Sequence, residues 1–226
     1  MRPVFPHPCR LFLFDLDGTL IDSTADIALS VNLALAAMGL PGISTDRIAG
    51  FVGDGVRKLT ERSLREVLGT EAEEPMILDA MRRYLEEYER HLLDSTRLFP
   101  GVREALDQVR WARMAVVTNK PERFSRQILQ ALGVSDRFCA ILGGDSIPLR
   151  KPDPAPLLEA MTRCGATAAE SVMVGDSPVD IRAGRAAGAV TCGVASGQDA
   201  RARLAIAGCD LIIDAMTELP LYFHPA

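Results

Sequence analysis

No stretch of the 226-residue chain approaches the roughly 20 consecutive apolar residues that a helix needs to cross a bilayer. Cysteine is sparse: Cys9, Cys139, Cys164, Cys192 and Cys209 are an odd number, widely spaced, with no Cys-x-x-Cys pair. That pattern argues against a zinc site and against a disulfide framework, and it predicts reduced thiols in a cytoplasmic protein. The opening stretch MRPVFPHPCR has no apolar run, so it does not read as a signal peptide. Positive charge is in deficit: 25 Lys and Arg stand against 30 Asp and Glu, a net charge of −5, which disfavours a nucleic-acid surface. The G-x-x-x-x-G-K-[ST] loop is missing, which excludes nucleotide cleavage of the P-loop type. Internal repeats and low-complexity segments are missing as well. The three histidines, His7, His91 and His224, form no ligand pattern and read as surface residues.

What is present centres on LFLFDLDGTLIDS, residues 11–23. Leu11–Phe14 is a short, wholly apolar run, as expected of a strand covered on both faces of a parallel sheet. Asp15 and Asp17 follow at once. In open α/β sheets ligands bind just past the carboxyl ends of the strands, and a spacing of two points both carboxylates to one side of an extended backbone. An Asp-Gly strand-end turn is the simpler alternative. A calcium loop does not fit, because its glycine belongs at the sixth position and Gly18 would be the fourth.

The chain after this stretch changes character twice. Residues 23–95 carry only helical patterns: Ile27, Val31, Leu35 and Met38 on one face, then a loop around Gly53, Asp54 and Gly55, then two more helices. The last of these aligns Ile77, Met81, Tyr84, Tyr88 and Leu92. From residue 96 strands and helices alternate. Apolar runs at Met114–Val117, Cys139–Leu142, Ser171–Val174, Val190–Val194 and Leu211–Ile213 are separated by helices. The expected fold is α/β, a doubly wound parallel sheet with a Rossmann-like core formed by residues 1–22 and 96–226, and an inserted α-helical cap over residues 23–95.

Three of the strands end in polar groups: Asp15 and Asp17, Thr118 and Asn119, Asp176 with Asp180 one turn on. Parallel strands share one carboxyl edge, so these groups can converge, and Lys151 lies in a proline-flanked loop able to join them. Two bare carboxylates ~4 Å apart repel by about 4 kcal/mol at an effective dielectric of 20. Such a cluster calls for cations, and oxygen-only donors select a hard one such as Mg2+. Lysine and metal together suit a phosphoryl group, whose transfer needs mainly positioning and charge neutralisation.

DLDGT, the strand-ending Thr118, Lys151 in RKPDP and GDSPVD resemble the four motifs of the haloacid dehalogenase superfamily of phosphohydrolases, in order and in spacing, across residues 11–184. More narrowly, FVGDGVRKLTERSL, VTNKP and GGDSIPLRKPDPAPLL are similar to the phosphoglycolate phosphatases within it. The resemblance implies Mg-dependent phosphomonoester hydrolysis through an aspartyl-phosphate, with 2-phosphoglycolate as the expected substrate. It makes Asp15 the nucleophile and Asp17 the general acid and base, with Thr118 and Lys151 holding the phosphoryl oxygens. It assigns the metal to Asp15, the Asp17 backbone carbonyl, Asp176 and Asp180, the last with the weaker claim to direct contact. Asn119 and, in the cap, Gly53, Arg57 and Lys58 are candidates for substrate binding, the loop glycines and helix N-terminus offering an anion site. The partner expected is a small phosphate ester, not a nucleic acid or a membrane, with the chain a monomer or homodimer. Other small-phosphate phosphatases, a pyrophosphatase, a β-phosphoglucomutase-like phosphotransferase and a non-catalytic binding module remain open on the same motifs.

Overall fold

The computed structural model describes residues 5–226. Part of the N-terminal stretch read as no signal peptide, residues 1–4, lies outside the described residues. The chain forms two compact units: one ends at Ile21 and resumes at Leu98, and the other is the insertion Asp22–Arg97.

In the first unit β1 (His7–Cys9) leads to β2 (Leu11–Phe14), every residue of which is buried. The chain leaves for the insertion through β3 (Ile21–Asp22) and returns through β4 (Arg97–Leu98). Four helices lie between them: α1 (Thr24–Ala37), α2 (Thr45–Ala49), α3 (Val56–Leu68) and α4 (Glu74–Arg90). Then come α5 (Val102–Gln108), β5 (Arg113–Val117), α6 (Glu122–Ala131), β6 (Ala140–Leu142), α7 (Ala155–Cys164) and β7 (Ser171–Gly175). The chain closes with α8 (Pro178–Ala187), β8 (Val190–Val194), α9 (Gln198–Ile206), β9 (Leu211–Ile213), α10 (Leu219–Tyr222) and β10 (Phe223–Pro225).

Six strands make one parallel sheet in the order β6-β5-β2-β7-β8-β9, the expected doubly wound arrangement with β2 near its middle. Phe14 pairs with Val116 on one side and Val174 on the other, so the residues after all three strands emerge at one edge. Leu11, Leu13, Val117, Leu142, Leu157, Met161 and Met173 pack as a core cluster between the sheet and the helices on that face. The pairing of β1 with β10, three residues each, and the five-residue α2 carry too little pattern to be read from sequence.

The cysteine expectation is corrected here. Cys139 and Cys164 form a disulfide with their Cα atoms 6.0 Å apart. A spacing of 25 residues looks unrelated along the chain. Folding sets Cys139, just before β6, beside the last residue of α7, which packs on that strand. Cys9, Cys192 and Cys209 are free, and burial pushes the Cys9 thiol up to about 12, well away from the reactive thiolate.

In the helical unit α4 packs on α1 and α3, burying Ile77, Ala80, Tyr84 and Tyr88, with the two tyrosine rings stacked at 5.5 Å. Asp26, in the first turn of α1, is buried. Its carboxylate accepts hydrogen bonds from the Ser95 N–H at 2.9 and 3.0 Å, the Thr96 N–H at 2.8 Å and the Thr96 hydroxyl at 2.7 Å. A buried carboxylate is tolerated when its lone pairs are filled in this way. It ties the start of the insertion to its end.

Candidate active site

The chain turns out of β2 at Gly18, whose φ of +88° is closed to other residues at low cost. A Cβ there would lie 2.5–2.8 Å from the Asp176 carboxylate. Thr19, next in line, donates its hydroxyl to Asp176 Oδ1 at 2.8 Å. The turn after β2 therefore shapes itself around the acidic group at the end of β7, across 157 residues of sequence.

Asp15, Asp176 and Asp180 each offer an oxygen within 4.8 Å of the others. The Lys151 ammonium sits among them, 2.9 Å from Asp15 Oδ1 and 2.7 Å from Asp180 Oδ1. Burial pushes the Asp15 carboxyl up to about 6; the Asp180 charge adds to this and Lys151 opposes it. Asp176 is raised well above the usual carboxylate range, by burial first and then by the charges of Asp180 and Asp15. Burial also works against the charge on Lys151, but its two carboxylate neighbours outweigh it and hold the ammonium above its ordinary pKa. One lysine among three carboxylates, two of them buried and Asp176 partly so, leaves an excess of negative charge on hard oxygen donors, which fits a small divalent cation such as Mg2+.

Asp180 has both oxygens engaged. Oδ2 accepts the Ser177 N–H at 3.1 Å and the Ser177 hydroxyl at 2.6 Å, a capping box that starts α8, and Oδ1 takes Lys151. Asp180 thus ties the lysine to the start of α8. Asn119 donates its side-chain N–H to the Lys151 carbonyl at 2.9 Å, fixing the loop that carries the lysine. Thr118 is buried at the end of β5, its Oγ1 accepting from the Lys120 N–H at 3.3 Å.

Asp17 stands one step away from this cluster. Its two oxygens face the Lys120 ammonium at 2.9 and 3.1 Å, with both side chains largely buried. Lys120 was missed in the sequence, although a signal existed: in VTNKP it stands two residues after Thr118, and alternate residues of an extended segment share a side. Thr19 and Ser177 were missed too, as ordinary polar residues of a turn and a cap.

The insertion's candidates lie in their own unit. Gly55 precedes α3 and Gly53 has a φ of +114° in the loop before it, which Arg62 pins through Asp54 at 2.5 Å and the Phe51 carbonyl at 3.0 Å. Arg57 bonds Glu61 at 2.8 Å and Glu74 at 2.8 and 2.5 Å, while Lys58 bonds Glu61 at 2.7 Å.

Residues 12–194 match the model of the family described as haloacid dehalogenase-like hydrolase. The chain belongs to that family. It is 38% identical over 216 residues to a phosphoglycolate phosphatase of Nitrosospira multiformis, covering 95% of each chain. It is also 38% identical over 208 residues to a phosphoglycolate phosphatase of Chromobacterium violaceum, covering 91% of this chain and 92% of the relative. A crystal structure of a "predicted phosphoglycolate phosphatase" from Haemophilus somnus superposes with a TM-score of 0.84 at 32% identity, covering 93% of this chain and 96% of that one. The family, the fold class and the phosphatase reading are borne out. Among the described residues no helix is long and apolar enough to cross a membrane.

Proposed function

We propose that this chain is a Mg2+-dependent phosphomonoester hydrolase that works through an aspartyl-phosphate on Asp15 and takes 2-phosphoglycolate to glycolate and phosphate. The observation that carries the reading is the buried Asp15 held 2.9 Å from Lys151 at the carboxyl edge of the sheet, with a second carboxyl, Asp17, two residues on. The relatives named as phosphoglycolate phosphatases supply the substrate. A cytoplasmic location and action as a monomer or homodimer belong to the same proposal.

A carboxylate oxygen of Asp15 forms the new bond to phosphorus as the bond to the leaving oxygen breaks. Asp17 gives its proton to that oxygen, so glycolate departs as the alcohol. Asp17 then takes a proton from water, the water oxygen bonds to phosphorus, and the Asp15–phosphorus bond breaks to release phosphate. Lys151 and Thr118 hold the phosphoryl oxygens, while Asp180 and Asn119 keep Lys151 in place. Asp15 and Asp176 would hold Mg2+, with the Asp17 carbonyl and Asp180 beside them. When bound, the metal supplies positive charge to the nucleophile and to the phosphoryl oxygens.

The test is phosphate release over a panel of small phosphate esters with Mg2+ and with EDTA, on wild type and D15N. Wild type is expected to favour 2-phosphoglycolate, to stop in EDTA, and to lose at least about a thousandfold in turnover in D15N with the fold intact. A folded D15N variant of near-normal activity removes the nucleophile. Isomerisation of β-glucose 1-phosphate with only slow phosphate loss replaces the hydrolase with the mutase.

A further inference from the structure

α6 starts without a cap of its own. Pro121 stands at its N-cap, and a proline side chain has no acceptor for the orphan N–H groups of a first helical turn. The acceptor comes from the loop after β6, where Asp145 Oδ1 takes the Glu122 N–H at 2.8 Å. Glu122 answers in the reverse direction. Its Oε2 accepts the Ser146 hydroxyl, whose oxygen accepts the Gly143 N–H at 2.7 Å. The exchange has the logic of a capping box, made here between segments 23 residues apart. Arg126, one turn along α6, closes it by reaching Glu122 Oε1 at 2.6 Å and the Ile141 carbonyl at 3.2 Å.

Two glycines permit this contact. A Cβ on Gly143 would lie 2.2 Å from the Glu122 nitrogen, and one on Gly144 would lie 2.4 Å from the Asn119 carbonyl oxygen, closer than a side chain can come. Gly144 also donates its N–H to the Lys120 carbonyl at 2.8 Å. The same loop runs on to Lys151, whose carbonyl accepts the Asn119 side chain at 2.9 Å. Asn119 therefore meets the start of the loop with its own carbonyl and the end of the loop with its side-chain amide.

We propose that Asp145 and Ser146 are positioning residues of this site. Through Glu122 they lock residues 118–120 to the loop that ends in Lys151, and so set the spacing between Thr118 and Lys151, the two groups that hold the phosphoryl oxygens. The proposal rests on the phosphatase reading above and extends it to residues that act through others. The lock works on the phosphoryl group, which every phosphomonoester shares, and on the free phosphate that leaves last. Loosening it weakens the binding of phosphate and of all esters by one factor, whatever the leaving group. A residue that only stabilises the fold behaves otherwise. Its loss lowers the amount of folded enzyme, and with it the apparent kcat, but leaves the KM and the inhibition constant of the folded fraction as they were.

The test measures kcat and KM for 2-phosphoglycolate and for p-nitrophenyl phosphate, and the competitive inhibition constant of inorganic phosphate, at saturating Mg2+ and well below the Tm of each variant. D145A is expected to raise the inhibition constant and both KM values about fivefold, the size of a lost helix cap. D145N keeps an oxygen acceptor and is expected to recover most of that loss. S146A is expected to match D145A, and the double variant to fall short of the product of the two, because residues of one network do not add. Should D145A fail to fold, S146A carries the same comparison. A wild type that turns over no ester overturns the phosphatase reading and this proposal together. With an active wild type, variants whose KM and phosphate inhibition constant are unchanged, a loss confined to kcat, a loss that differs between the esters, or a D145N as impaired as D145A overturns the positioning role alone.

Discussion

Raising the pH from 5 to 7.5 without a divalent cation is expected to weaken the fold through Asp15. The carboxyl titrates near 3.8 when unfolded and at about 6 in the folded chain, chiefly because it is buried. The folded state therefore holds this proton more tightly, by about 3 kcal/mol. Stability from this group is greatest below pH 3.8 and is lost as the pH rises through about 6. Of the total, about 1.4 kcal/mol falls between pH 5 and 7.5, above the range in which exposed carboxylates titrate. Lys151 stays charged across this window and adds no slope, whereas Asp176, raised for the same reason, moves in the same direction as Asp15. For a chain of this length the loss amounts to roughly 3–6 °C in Tm. The assay is thermal unfolding in EDTA at several pH values, on wild type and D15N, with the difference between them read against pH. D15N should lose the share of the slope that belongs to Asp15 while keeping that of Asp176, and Mg2+ should raise the wild-type Tm more at pH 7.5 than at pH 5, because it supplies the charge that the proton had supplied. Parallel pH profiles for the two proteins would refute the account of a strained carboxylate cluster.

Two further outcomes follow from the same geometry. G18A forces a methyl group into the Asp176 carboxylate and a positive φ onto alanine; it is expected to lower the Tm and to weaken Mg2+ binding by tenfold or more, on the order of the 1–3 kcal/mol stored in such strain, as isothermal titration would show. C139S opens a loop of 25 residues, for which chain entropy predicts a loss of about 3.5 kcal/mol in urea unfolding without reductant; the wild type in dithiothreitol should fall to the same value.

The sheet and most of the acidic cluster were legible because their signals are local. Leu11–Phe14 is apolar throughout, Asp15 and Asp17 end it, and Asp176 and Asp180 end β7 and open α8 within five residues. Parallel pairing brings such ends to one edge without further information. What escaped depends on contacts between distant residues that are individually ordinary. Lys120 meets Asp17 across 103 positions, and Cys139 meets Cys164 only because α7 folds back on β6. Arg57 and Lys58 looked available as bare cations on a helix, yet Glu61 and Glu74 engage them, one of these from the next helix. Asp26 was one more acidic residue in a first helical turn until Ser95 and Thr96 came back to it.

The Asp26 clasp also bears on how such a chain could change over evolutionary time. Its bonds join residues 69 and 70 positions apart, and Arg97 meets Asp22 at 2.8 Å beside it, so the insertion leaves and rejoins the sheet unit through a closed socket. For the folding of the sheet, a segment with clasped ends behaves as a short connection, and the entropy of closing a longer one grows only with the logarithm of its length. Whole helices between residues 26 and 95 could then be lengthened, replaced or shuffled while the register of β2 against β5 stays as it is. The pairing of the sheet is then kept apart from changes in the insertion, which is free to vary in length as a cassette.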